Sequence, residues 1–148
     1  MDYVRLLEGV KQALTGGRPL ERAVELLARV PHYTWVGIYL VEGEELVLGS
    51  WQGPAATQHV RIPIGVGICG AAAKAGKTEV VDDVAADPRY LACFPSTRAE
   101  IVVPIRDGDR VLGEIDIDSD LPAAFTKEDV AFLEEVARLL AQRLKEAG

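Results

Sequence analysis

Apolar residues recur at helical spacing at the start of the chain. Over residues 2–14, Tyr3, Leu6, Leu7, Val10 and Leu14 share one face; after the break at TGGRP the spacing resumes in LERAVELLARV through Leu20, Ala23, Val24, Leu27 and Val30. These segments predict two amphipathic helices. From Thr34 the period changes to two, with Trp35, Gly37 and Tyr39 on one face of a strand and Val36, Ile38 and Leu40 on the other. The chain turns at EGEE into a second strand, LVLGSW. HVRIPI reads as a third strand, CGAAAKAG as a short helix and TEVVDDV as a fourth strand.

Residues 85–99 have no clear period and carry Pro88 and Pro95, which predicts a long loop of the kind that often bears function. EIVVPI and RVLGEIDID flank RDGD, whose Asp-Gly step signals a hairpin between strands five and six. The last helix starts at FTKED, where Thr126 and Asp129 can form a capping box, and buries Val130, Leu133, Val136, Ala137, Leu140 and Leu144. Hairpin-linked strands between terminal helices predict an α+β domain with a mostly antiparallel sheet.

A length of 148 residues suits one domain: a helical segment over 1–31, sheet and pocket over 33–119, and a terminal helix over 126–146. The net charge of −7, without clustered Lys or Arg, argues against a nucleic-acid partner. No apolar run is long enough to span a bilayer and the first residues lack the order of a secretory signal, so no membrane association and a cytoplasmic location are expected. Two cysteines are too few for a disulfide scaffold.

GVGICG, residues 65–70, has the G-x-G-x-x-G spacing of a dinucleotide loop. The residues before the next glycine, Gly76, are too few for the crossover helix that fold needs, and Pro63 sits where its first strand should donate hydrogen bonds. The glycines instead predict a tight turn before a short helix that starts near Cys69, and a helix N-terminus lowers a thiol's pKa.

Three groups carry candidate chemistry. Cys69 and Cys93 are either small buried hydrophobes or a redox pair, and with His32 and His59 they make no zinc spacing, so no metal is expected. In EIDID, alternation puts Glu114, Asp116 and Asp118 on one face, either solvated or gathered to hold a cation and raise one another's pKa. The glycine and glutamate that would complete an EF-hand from DIDSD are absent. Trp35 and Tyr39 are core residues or the wall of a ligand site, with Gly37 leaving room between them.

In combination, WVGIYL, IPIGVGICGAA, VVDDV, YLACFPSTRAEIVVPI, GEIDIDS and FTKEDVAFLEEVA resemble the free methionine-(R)-sulfoxide reductases, a branch of the GAF-domain superfamily, over about residues 33–140. The resemblance implies a GAF-like sheet of about six strands with the N- and C-terminal helices on one face and a ligand pocket on the other. It implies Cys93 as nucleophile, Cys69 as second thiol, Glu100, Asp116 and Asp118 around bound free methionine sulfoxide, with Glu100 also catalytic, and Trp35 and Tyr39 as aromatic wall. It further implies a sulfenic acid intermediate, no cofactor beyond an external thiol reductant such as thioredoxin, and antioxidant repair as the role. Many members carry a third cysteine where this chain has His59, and a histidine and an aspartate where it has Tyr90 and Phe94. The alternative is a non-catalytic GAF module for small-molecule binding or redox sensing. A homodimer through the terminal helices is compatible with their apolar stripes.

Overall fold

A computed structural model describes residues 2–92 and 94–147. They form helices α1 (Tyr3–Ala13), α2 (Pro19–Leu27), α3 (Gly67–Ala75) and α4 (Lys127–Ala147), and strands β1 (Trp35–Glu42), β2 (Glu45–Gln52), β3 (Arg61–Pro63), β4 (Glu79–Val81), β5 (Ala99–Asp107) and β6 (Arg110–Ser119). The strands make one sheet in the order β3-β2-β1-β6-β5-β4, each neighbouring pair antiparallel. The element pattern predicted from the sequence is present throughout.

Two tight hairpins set the sheet's register. Glu42 faces Glu45 across a turn with Gly43 at φ 63°, and Asp107 faces Arg110 across one with Gly108 at φ 60°. Two-residue turns of this hand match the twist of the flanking strands and need a positive φ.

The sheet separates two apolar layers. On one face Val36, Ile38, Ile101, Val103, Ile105, Ile115 and Ile117 pack against Val10 of α1, Val24 and Leu27 of α2, and Leu133, Val136 and Leu140 of α4. The helix stripes read from the sequence are this contact. On the other face Trp35, Tyr39, Leu46, Ile62, Val81 and Val102 pack beneath Ile68, Cys69, Ala72 and Ala73 of α3. The N- and C-terminal helices on one face and a pocket on the other are as expected; the structure adds α3 as the cover of that pocket.

The α4 cap also ties the N-terminus down. Asp129 Oδ2 accepts from the Thr126 amide (2.9 Å) and hydroxyl (3.0 Å), and the Asp129 amide donates back to Thr126 Oγ1 (3.3 Å). Its Oδ1 accepts from the Tyr33 hydroxyl (2.7 Å), lies 2.9 Å from His32 Nε2 and accepts from the Tyr3 hydroxyl of α1.

Candidate active site

The pocket face is built from alternate residues of the three central strands. Cα partners across β1, β6 and β5 form three rows: Trp35–Asp118–Glu100, Gly37–Asp116–Val102 and Tyr39–Glu114–Pro104. Neighbouring strands lie about 4.8 Å apart, so the carboxylates of Glu100, Asp116 and Asp118 come from adjoining positions on two strands. The alternation in EIDID therefore marks a lined floor, not a solvated strand. Glu114 is 0%, Asp118 3%, Asp116 4% and Glu100 6% exposed.

Helix α3 covers this floor, and its glycines let it approach. Gly65 and Gly67 have φ values of 98° and 71°, and a Cβ on Gly70 would stand 2.7 Å from the carbonyl oxygen of Pro63. The turn thus lays Cys69 over the acids, its Sγ donating toward Glu100 Oε2 at 4.0 Å. Sγ and one carboxylate oxygen each of Glu100 and Asp116 lie within 4.8 Å of one another. Tyr39, Cys69, Glu100 and Asp116 line one small pocket with His59, Ile62, Ile68 and Leu91.

Trp35 and Asp118 share the sheet face but do not line that pocket. Trp35 is walled in by Trp51, stacked at 6.2 Å between centroids, and by Phe94 at 5.9 Å. The room expected beside Gly37 is taken by the same ring, since a Cβ there would stand 2.3 Å from it. Tyr39 donates its hydroxyl to the His59 carbonyl at 2.7 Å, and His59 Nε2 is 3.3 Å from the Ala92 carbonyl oxygen. The loop between β2 and β3 is so joined to the segment that leads into Cys93. Cys93 itself lies outside the described residues.

A GAF-domain family model matches residues 18–144. The free methionine-R-sulfoxide reductase of Escherichia coli (strain K12) is 36% identical over 119 residues, covering 80% of this chain and 71% of that protein. Among solved structures, the type II free methionine-R-sulfoxide reductase from Thermoplasma acidophilum has a TM-score of 0.83 at 42% identity, covering 93% of this chain and 96% of that one. A free methionine-R-sulfoxide reductase from Neisseria meningitidis, solved in complex with its substrate, has a TM-score of 0.90 at 37% identity, covering 97% of this chain and 88% of that one. The chain belongs to the GAF-domain family, in its free methionine-R-sulfoxide reductase branch. As a member of that branch it is an oxidoreductase.

The electrostatics of this GAF domain correct one expectation. Cys69 is the third residue of α3, but it is buried, and burial together with the charges of Asp116, Glu114 and Glu100 pushes its thiol well above the usual value instead of lowering it. Desolvation outweighs the end of a short helix. Burial also raises the carboxyls of Glu114 and Asp118, with Asp116 adding to both, and it raises Asp116 against opposing hydrogen bonds from Glu100 and Cys69. Among the described residues, the buried polar groups include no lysine or arginine. Asp116 Oδ1, Asp118 Oδ1 and both Glu114 carboxylate oxygens have no hydrogen-bond partner.

The sequence groups Glu114 with Asp116 and Asp118 as a candidate cation receptor but outside the residues the resemblance assigns to the site, and it marks His59 only as a histidine without zinc spacing at the position of a missing cysteine. Glu114 was detectable by its alternation with Asp116. Nothing local marks His59, Ile62, Ile68 or Leu91, which reach the GAF pocket from other elements. A larger groove of about 780 Å³ lies elsewhere, between the α3–β4 turn, the β5–β6 turn and α4, lined by Lys77, Thr78, Arg106, Glu134 and Arg138 among others. It carries no cysteine and no buried acid.

Proposed function

We propose that the chain reduces free L-methionine-(R)-sulfoxide to methionine, with Cys93 as nucleophile and the acids of the pocket face as the receptor for the substrate's ammonium. The observation that carries this reading is the set of buried carboxylates, Glu100, Asp116 and Asp118, with no buried lysine or arginine among the described residues. Buried negative charge needs a positive partner or a proton, and a free amino acid brings an ammonium. The relatives act on a free amino acid by name, which agrees with that demand.

In the proposed cycle the Cys93 thiolate attacks the sulfoxide sulfur, while a protonated carboxyl, Glu100 in our reading, stabilises the oxygen as its bond to substrate sulfur breaks. The oxygen ends on the cysteine as sulfenic acid and methionine leaves; the substrate sulfur is reduced by two electrons and the cysteine sulfur oxidised by two. A second thiol then condenses with the sulfenic acid, releasing water and forming a disulfide, which thioredoxin or a similar dithiol reduces. Cys69 can serve only when the pocket opens, because in the closed pocket its thiol is buried and held protonated. An external thiol attacking the sulfenic acid directly needs no such opening. Tyr39 at the pocket wall, joined by Trp35 only when the pocket opens past Phe94, supplies an aromatic flank on which a methylthio group packs.

The test is methionine release from free L-methionine-(R)-sulfoxide, with dithiothreitol and separately with thioredoxin. Turnover with either, abolished in Cys93→Ser, is the expected result. Full turnover in that variant would rule the mechanism out. In Cys69→Ser, loss of only the thioredoxin-supported rate assigns Cys69 as the resolving thiol, and retention of both rates assigns reduction to the external thiol. N-acetylmethionine sulfoxide, which lacks the ammonium, should lose about 10²-fold in kcat/KM, matching about 3 kcal/mol from two charge-assisted hydrogen bonds.

A further inference from the structure

We propose that the closed pocket also binds a thiophilic divalent cation of the zinc type through Cys69 Sγ, Glu100 and Asp116, and that this metal-bound form excludes the sulfoxide substrate. An ammonium group calls only for oxygen acceptors. Here a sulfur joins two carboxylates, with the three donor atoms within 4.8 Å of one another and all three residues buried. Mixed sulfur and carboxylate donors suit Zn²⁺, and Co²⁺ as its spectroscopic substitute.

Three further features point the same way. Asp116 lines the pocket and its Oδ1 is buried without a hydrogen-bond partner, so this ligand carries a donor atom still to be satisfied. The closed pocket has room for about one water-sized body, enough for a bare metal ion and too little for an amino acid. The three ligands are carried by α3, β5 and β6, so small side-chain rotations bring the donors to metal-bond distances of about 2.0–2.3 Å without moving the sheet. Water completes the coordination, since His59, although it lines the same pocket, lies outside the donor cluster and its Nε2 is 3.3 Å from the Ala92 carbonyl oxygen. On binding, the Cys69 thiol proton passes to solvent as Sγ becomes a thiolate ligand. The spacing of cysteines and histidines along the chain gave no hint of this, because the carboxylate donors come from separate strands.

Metal binding rests on this geometry alone, whereas exclusion of the substrate rests on the reductase reading. The first arm is therefore a Co²⁺ titration of the reduced intact chain, followed by absorbance, independent of turnover. The expected result is a thiolate-to-cobalt charge-transfer band in the near ultraviolet that saturates at one equivalent and disappears on adding Zn²⁺. The band should persist in Cys93→Ser, vanish in Cys69→Ser, and require at least about tenfold more Co²⁺ in Asp116→Asn. Circular dichroism checks that each variant is folded. No band in the parent chain, or a band that survives Cys69→Ser and is lost in Cys93→Ser, would overturn the site. The second arm measures methionine release with a reductant that does not chelate. Zn²⁺ should raise KM for the sulfoxide and leave kcat unchanged; a fall in kcat at constant KM would refute the exclusion. A chain that binds Co²⁺ but has no reductase activity would sink the reductase reading and leave the metal site standing.

Discussion

Cys69 shares its surroundings with Glu100, Glu114 and Asp116, so ionising it would add charge to an already acidic, buried group. In Cys93→Ser, where Cys69 is the only remaining thiol of the chain, its alkylation at pH 8 should be at least about 10²-fold slower in the folded than in the unfolded protein. Equal rates, followed by mass spectrometry, would contradict the burial. The acids carry a pH consequence of their own. The folded pKa values of Glu114, Asp116 and Asp118 lie above the unfolded values of about 4, so the folded state holds extra protons and stability falls as pH rises from about 4 through the folded values. Asp118→Asn removes one such charge and should stabilise the ligand-free chain at pH 7 by about 1 kcal/mol while lowering kcat/KM, a trade of stability for function seen at many binding sites. Denaturant titrations at pH 5 and pH 7 would show the gain at pH 7 and a smaller one at pH 5. The sequence could not decide whether EIDID faces water, because alternation is identical for a solvated strand and for one covered by a distant helix. The cover comes from α3, some 40 residues upstream.

At the level of elements, the hairpins and terminal helices were readable because each is specified by neighbours in the chain: a glycine in a turn, a capping box, an apolar stripe. Helix α3 was less so, since its start near Cys69 was expected from the glycines and the helix actually begins at Gly67, where φ is positive. Its placement depends on Gly70, whose missing side chain lets the helix touch the end of β3. Gly70→Ala should cost about 1–3 kcal/mol and reduce turnover further than stability alone explains, because Cys69 moves with the helix. Thermal melts paired with kinetics at a temperature where the variant is folded would separate the two effects. Asp129 plays the equivalent part on the helix side. Burial raises its carboxyl, but hydrogen bonds from Tyr3, Thr126, Tyr33 and His32 outweigh that and hold it below the usual value. Its contribution is complete above the unfolded value of about 3.9 and is lost as pH falls through the folded one. Asp129→Ala should cost about 2–4 kcal/mol, as a buried tyrosine hydroxyl and a helix cap lose their acceptor together. Urea unfolding at pH 7 gives that difference, and at pH 3 the gap between the two proteins should narrow.

Across the whole molecule, one sheet divides an apolar helix side from an acidic pocket side, and the two serve different ends. Burial of isoleucines and leucines against α1, α2 and α4 supplies the stability, about 1.5–3 kcal/mol for each large side chain fully buried, against which the acids on the other face are tolerated. A ligand that brings positive charge should therefore act on global stability as well as on the site. Methionine at about 100 times its dissociation constant should stabilise the fold by about 2.7 kcal/mol, and N-acetylmethionine at the same concentration should leave the melting temperature nearly unchanged. Differential scanning calorimetry tests both, and an equal shift with the two compounds would remove the ammonium from the account.

The central strand β6 belongs to both halves at once. Its even positions from 114 to 118 are carboxylates beneath α3 and its odd ones, Ile115 and Ile117, are seated among the helices. Deleting or inserting a single residue just ahead of this run would exchange the two sets, driving three acids into the hydrocarbon side and presenting isoleucine to the pocket. Individual side chains of β6 can be replaced and the result measured, but the number of residues between its turn and its end is a quantity the protein has no freedom to change.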